Sequence, residues 1–287
     1  MIDAIKGLLS LLHDACLAVV LPMTFFTILA LTLKGRHAFS DFLRALPECR
    51  LNLMLHFADA LFVLPLITLI AYWLDGYMPS RGSTPISKEW EELGPALSVI
   101  LALLLGDLIG YWRHRLEHSR ALWPSHAVHH SDTAMTWLAI YRFHPINRLT
   151  TALIDSTLLL AAGVPAYCVL VNNLVRHYYG AFVHADLPWT YGALRYVFVS
   201  PAMHRWHHAA APEAIGKNFA TVFSFIDLIF GTFRVPGACR APLGVGDAMT
   251  PGFVGQMAHP FKRSSYVSDL RDAKAGTSED LSPARAA

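Results

Sequence analysis

The apolar pattern divides the chain into long hydrophobic runs. Residues 11–33, 52–74 and 95–113 are each mostly apolar, and each is close to the ~20 residues a helix needs to cross a bilayer. A fourth run, from Thr150 to about Phe182, is too long for one span and is interrupted by Gly163-Val164-Pro165. Glycine loosens a helix there and proline lacks the N–H to continue one. The pattern predicts a helical hairpin with arms 150–163 and 165–183, the first arm short. From about Lys262 the chain turns polar, rich in Ser, Ala and charge. That composition predicts a disordered tail over 262–287 and one membrane-embedded domain over 1–261.

Composition sharpens this picture. Charged residues make up 15% of the chain and apolar residues 54%, where a soluble domain carries roughly 25% charged. The net charge of +2 and the lack of a basic run exclude a nucleic-acid partner. The four cysteines are scattered without a CxxC pair, so neither a disulfide framework nor a thiolate metal site is expected. Lys6 is the sole early positive charge and no small-residue cleavage site follows, so the first run reads as a span rather than a signal. Between runs one and two lie Lys34, Arg36, Arg44 and Arg50; between runs two and three, Arg81 and Lys88 among several acids. The positive-inside rule places the first loop in the cytoplasm. Counting crossings puts the segment after run three on that side too.

The polar positions that matter most are histidines. Eight of fifteen fall in three boxes: His114 and His118; His126, His129 and His130; His204, His207 and His208. All adjoin the apolar runs. Histidine is the commonest metal ligand, through a neutral ring nitrogen. Positions four apart share a helix face, so His114 pairs with His118, and the first and last histidines of each HxxHH box pair likewise. The middle histidine points about 100° away, given 3.6 residues per turn. One box can therefore serve two metals, and eight ligands exceed the needs of one ion. A zinc or copper site also suits imidazole, although zinc normally takes four ligands. Ser200 and Pro201 form a helix-start signal for the third box, with Pro212 expected to stop that helix. Metal-bound imidazoles usually donate their second N–H to a carboxylate or carbonyl; Asp107, Glu117, Asp132 and Asp227, with Asn218, are the candidates. Asp107 and Asp59 lie inside apolar runs, where an acid is costly without a role; no partner for Asp59 is evident.

These motifs resemble the membrane fatty acid hydroxylase/sterol desaturase superfamily. The resemblance covers roughly 107–233: Asp107 through Arg115, His126 to Ser131, Arg142-Phe143-His144-Pro145, His184-Ala185-Asp186, Ser200 to His208, and Asn218-Phe219 leading to Phe233. It implies an all-α integral membrane protein: about three spans plus the hairpin, and a cytoplasmic helical cap carrying the boxes. It implies a di-iron centre with O2 as co-substrate and the eight box histidines as ligands. His184 is implied as a ninth ligand, and His144 is a ligand, an outer partner or a helix anchor. Asp186 departs from the Asn common after that histidine, which clouds its role. The implied activity is hydroxylation of a C–H bond of a membrane lipid (fatty acyl, sterol or isoprenoid-like). Desaturation on the same site is the close alternative and a metal-handling membrane protein the distant one. No GxGxxG, haem or iron–sulfur motif is present, so electrons are expected from an external reductase, ferredoxin or haem protein. The short chain favours a bacterial inner membrane over the endoplasmic reticulum. Tyr111, Trp137, Tyr141 and Trp206 are candidates to line a lipid tunnel. Neither the substrate nor the oligomeric state is legible.

Overall fold

In a computed structural model, which describes residues 2–75, 85–245 and 249–266, every regular element is helical, and one isolated bridge joins Ala209 to Leu243. Three helical stretches are long and apolar enough to cross a membrane: Lys6–Lys34, His37–Trp73 and Pro95–Glu117. They belong to helices α1 (Ile2–Lys34), α2 and α3 (His37–Ala58, Leu64–Asp75) and α5 (Pro95–Glu117), with a short α4 (Pro85–Glu92) leading into α5. Their outward faces carry exposed Leu, Ile and Phe such as Leu21, Ile28, Phe62 and Leu69, as expected of helices solvated by lipid.

The basic segment 37–51 is helix, not loop. Only a tight turn at Gly35 (φ +53°) and Arg36 separates α1 from α2. Ala45, Cys49 and Leu51 on α2 are buried; Ala45 and Cys49 pack with Leu138, Leu51 with Val128. This buried stripe continues the helix despite the arginines on its other faces. α2 runs into α3 through a π turn at Asp59–Val63. Arg148 Nε lies 3.3 Å from Asp59 Oδ2 there, which supplies the partner missing from the sequence reading. Arg81, counted above as a loop charge, lies outside the described residues.

The hairpin forms as α7 (Pro145–Ala161) and α8 (Ala166–His184), turning at Gly163 (φ +73°), a conformation glycine adopts without Cβ strain. α5 packs on both arms. Its Gly110 leaves room for the Arg176 guanidinium, since a Cβ there would stand 1.8 Å from Arg176 Nη2. Arg176 and Arg113 both bond Asp155, at 2.7 and 2.8 Å.

At one end of the bundle α6 (Trp123–His130), a 3-10 turn at Trp137–Tyr141, α9 (Pro201–His207), α10 (Phe225–Ile229) and α11 (Gly252–Ala258) form a cap. The α1–α2 turn sits at that same end: Lys34 pairs with Asp186, and Asp186 with Arg205 of α9. At the start of the segment expected to be a tail, Lys262 bonds Thr250 and the buried Ser265 hydroxyl bonds the His259 carbonyl. The remainder of that tail lies outside the described residues.

Candidate metal centre

The boxes converge where α5 leaves the bundle. α5 ends in His114 and, at its C-cap, His118; α6 presents His126, His129 and His130; α9 presents His204 and His207, with His208 as its C-cap. Ser200 caps α9 through Met203 N at 3.1 Å, with Pro201 at the first helical position. The helix ends at His207, well before Pro212, because the chain turns away to bond Ala210 N to Pro242 O.

The rings sort into two groups. His114, His118, His126, His130 and His207 offer nitrogens within 4.8 Å of one another, and His129, His184, His204 and His208 do the same. In both HxxHH boxes the first and last histidines stay together and the middle one joins the other group. The two boxes do this in opposite senses: the pair of α6 joins the five-membered group and the pair of α9 the four-membered one. His184, the last residue of α8, completes the smaller group.

Hydrogen bonds fix the tautomers. Nδ1 of His114 donates to Phe219 O at 2.8 Å, and Nδ1 of His207 to Lys217 O at 2.8 Å. Nδ1 of His129 donates to Arg142 O at 3.2 Å, and Nδ1 of His184 to Gly180 O at 2.6 Å. A neutral imidazole has one donor and one acceptor nitrogen, so Nε2 of each is a bare lone pair. Yet Nε2 of His207 stands 3.0 Å from Nε2 of His114, and Nε2 of His184 stands 3.2 Å from Nε2 of His129. Two lone pairs at that separation cannot share a hydrogen bond; a cation between them makes the geometry favourable. Buried ring nitrogens of His118, His130, His204 and His208 have no hydrogen-bond partner either. Burial holds the α6 and α9 histidines below the ordinary imidazole range, His126 at about 3 and His207 at about 4. The donor set is thus neutral and nitrogen-only, and it fits borderline transition metals such as iron or zinc.

The expected carboxylate partners act differently. Only Glu117 approaches a box histidine, 3.5 Å from His126 Nδ1, while also bonding Arg113 and Thr150. His126 Nδ1 itself bonds Asn147 Oδ1 at 3.0 Å, a partner that no local motif announces. Asp132 caps Ala134 N and Met135 N and accepts from Asn52. Asp107 and Asp227 bond backbone N–H groups of 219–223. His144 stands outside both groups. Its Nδ1 accepts from Ile146 N as the N-cap of α7, and its Nε2 donates to Met257 O. A histidine just before a proline at the first helical position was the available signal for that cap. Arg142, fully buried, ties α6 to α2 through Ser131, Glu48 and Asn52.

None of the four proposed tunnel aromatics lines the lipid-facing groove beside the centre. Tyr111 bonds Thr232, Trp137 stacks on Phe26, Tyr141 bonds Ala18 O and Trp206 bonds Gly237 O. The groove runs between α5 and α7 over Leu108, Ile109, Trp112, Leu116, Ile154 and Leu158.

A helical membrane bundle capped by two abutting histidine clusters defines a histidine-box membrane protein. Residues 99–232 match the fatty acid hydroxylase family. It is 30% identical to an ornithine lipid hydroxylase of Rhizobium tropici over 62% of this chain and 54% of that protein. It is 32% identical to an alkylglycerol monooxygenase of Danio rerio over 46% of this chain and 30% of the relative. A Delta(7)-sterol 5(6)-desaturase of Aspergillus fumigatus is 28% identical over 64% of each chain. The chain therefore spans less than two thirds of each of these relatives. No solved structure matches it significantly.

Proposed function

We propose that this chain is an oxidoreductase of membrane lipids: an O2-dependent di-iron hydroxylase that oxidises a C–H bond of an acyl, sterol or isoprenoid-like chain. The observation that carries the reading is the facing of bare Nε2 lone pairs in both histidine groups. His114, His118, His126, His130 and His207 would hold one iron, and His129, His184, His204 and His208 the other. Iron, once bound, supplies O2 activation and the attack on an unactivated C–H bond.

The chain's own residues prepare that chemistry. Backbone carbonyls orient four of the rings and keep their Nε2 atoms free of protons. Eight of the nine histidines are buried, which excludes water from reactive species and keeps the ligands neutral. The α5–α7 groove offers an apolar seat for a lipid chain along the helix that carries the first box. Arg113 at its edge is held by Asp155 and Glu117, so the groove has one charged end. Electrons come from a separate donor protein. The Lys34–Asp186–Arg205 chain puts the basic α1–α2 turn beside the boxes, which supports a centre on the cytoplasmic side of its membrane. The names of the Rhizobium and Danio relatives favour oxygen insertion. That of the Aspergillus relative keeps desaturation as a second reading.

The test is elemental analysis of detergent-purified protein joined to a product screen. With membrane lipids, a reductase system and isotopically heavy O2, the expected outcome is about two irons per chain and a lipid carrying one heavy oxygen atom. Loss of two hydrogens without oxygen gain identifies the desaturase instead. Zinc alone, with no lipid product, sinks both.

A further inference from the structure

Residues 217–223 cross the five-histidine group as a strap, and every backbone N–H from 218 to 223 is held. Asn218 N bonds Thr232 O at 2.9 Å. Phe219 N and Ala220 N bond the Asp227 carboxylate at 2.8 and 2.9 Å. Thr221 N, Val222 N and Phe223 N bond Asp107 at 3.1, 3.0 and 2.7 Å. Asn218 sits at φ +62°, a left-handed conformation that Asn tolerates better than most residues. Its amide bonds Met203 O and Arg234 O, and its Oδ1 accepts from Arg234 N. With that residue turned, the carbonyls on either side, Lys217 O and Phe219 O, reach His207 and His114.

Both of those rings belong to the five-histidine group. In the four-histidine group, the rings with assigned partners take their orientation elsewhere: His129 from Arg142 O and His184 from its own helix at Gly180 O. Buried carboxylates with three backbone or hydroxyl donors each are costly to build, and here their bonds converge on one subsite.

We propose that Asp107, Asn218 and Asp227 are positioning residues for the five-histidine subsite alone. Acting through the strap, they set the ring orientation of His114 and His207 and hence the metal affinity of that subsite, leaving the other untouched. This rests on the metal-binding reading above and adds an asymmetry that the box pattern does not contain.

The experiment is a metal titration of the full chain in detergent, with Asn218→Val and Asp107→Asn compared with the parent. Val is β-branched and disfavours positive φ; Asn at 107 retains one acceptor oxygen. The expected result is two sites in the parent and a loss of about 10- to 100-fold in affinity at one site in each variant, the usual effect of removing an outer partner. The surviving site should vanish when His204→Ala is added and persist when His118→Ala is added. Equal weakening of both sites, or of neither, overturns the proposal. If the parent binds fewer than two metals, the di-iron reading fails, and the strap is judged on metal-free protein by histidine 15N NMR. There His114 and His207 should carry their proton on Nδ1 in the parent and lose that fixed tautomer in both variants. Unchanged tautomers overturn it.

Discussion

His208 stacks on His130 with ring centroids 4.2 Å apart and planes 20° apart, so the two histidine groups meet through one ring from each HxxHH box. The groups are adjacent because His129 and His130, and His207 and His208, are chain neighbours divided between them. Each helix end thereby spans both halves of the centre, so displacing α6 or α9 as a whole should be felt in both, whereas turning a single ring should be felt in its own group.

Removing a ligand should therefore differ by group. His204→Ala leaves three histidines in its group and should reduce bound metal to about one per chain. His118→Ala leaves four, a full complement for many tetrahedral sites, and should retain both metals with weakened binding at one. Metal content by elemental analysis separates the two; equal losses would contradict the assignment of ligands to groups.

His144→Ala should leave metal content unchanged, because that ring bonds Ile146 N and Met257 O and joins neither group. It should cost about 1 kcal/mol of stability, the usual worth of an N-cap, and His144→Asn should restore much of it. Thermal unfolding in detergent reads the cost. A fall in metal content would return His144 to the ligand set.

Asp155→Ala removes a carboxylate shared by Arg113 and Arg176, leaving Arg113 with Glu117 and Arg176 beside Asp107. Leaving a buried charge with no partner costs about 3–5 kcal/mol; each arginine keeps one carboxylate here, so a smaller but measurable drop in unfolding temperature is expected. Asp155→Asn should fall between. A change within experimental scatter would mean that lipid or water already screens the arginines.

Gly110→Ala should destabilise by about 1–3 kcal/mol, the range for overpacking. The new methyl stands where the Arg176 guanidinium lies, and that group is pinned by Asp155. Arg176→Lys, whose head is slimmer, should partly relieve the methyl in a double variant. Independent, additive effects would show that the two positions do not compete for space.

Leu158→Trp and Ile154→Trp fill the α5–α7 groove. If a lipid chain lies there during turnover, KM should rise several-fold while metal content is retained. Unchanged kinetics would move the substrate path elsewhere.

Much of this was readable from local pattern. The spans follow from apolar run length, the hairpin turn from Gly163 and Pro165, the α9 cap from Ser200 and Pro201, and the sharing of rings from the helical period. The segment 37–51 misled because its arginines read as a loop, whereas Ala45, Cys49 and Leu51 keep one face buried. What stayed hidden was non-local. Asp107 looked like a partner for an imidazole, but its carboxylate bonds N–H groups more than a hundred residues away. The acceptors that orient His114, His129, His184 and His207 are backbone carbonyls, which every residue possesses and no sequence motif marks. Asp59 found Arg148 only once α2 and α7 were side by side.

His114 and the Phe219 carbonyl that orients it are 105 residues apart in the chain. A ribosome releases the first long before the second. During synthesis the first and second boxes emerge with part of their ligand sphere unset, and box three and the strap close it afterwards. Metal insertion into a finished centre must therefore wait for translation to pass Arg234, the last residue that holds the strap, and truncation upstream of that point leaves spans that insert but a centre that is never completed.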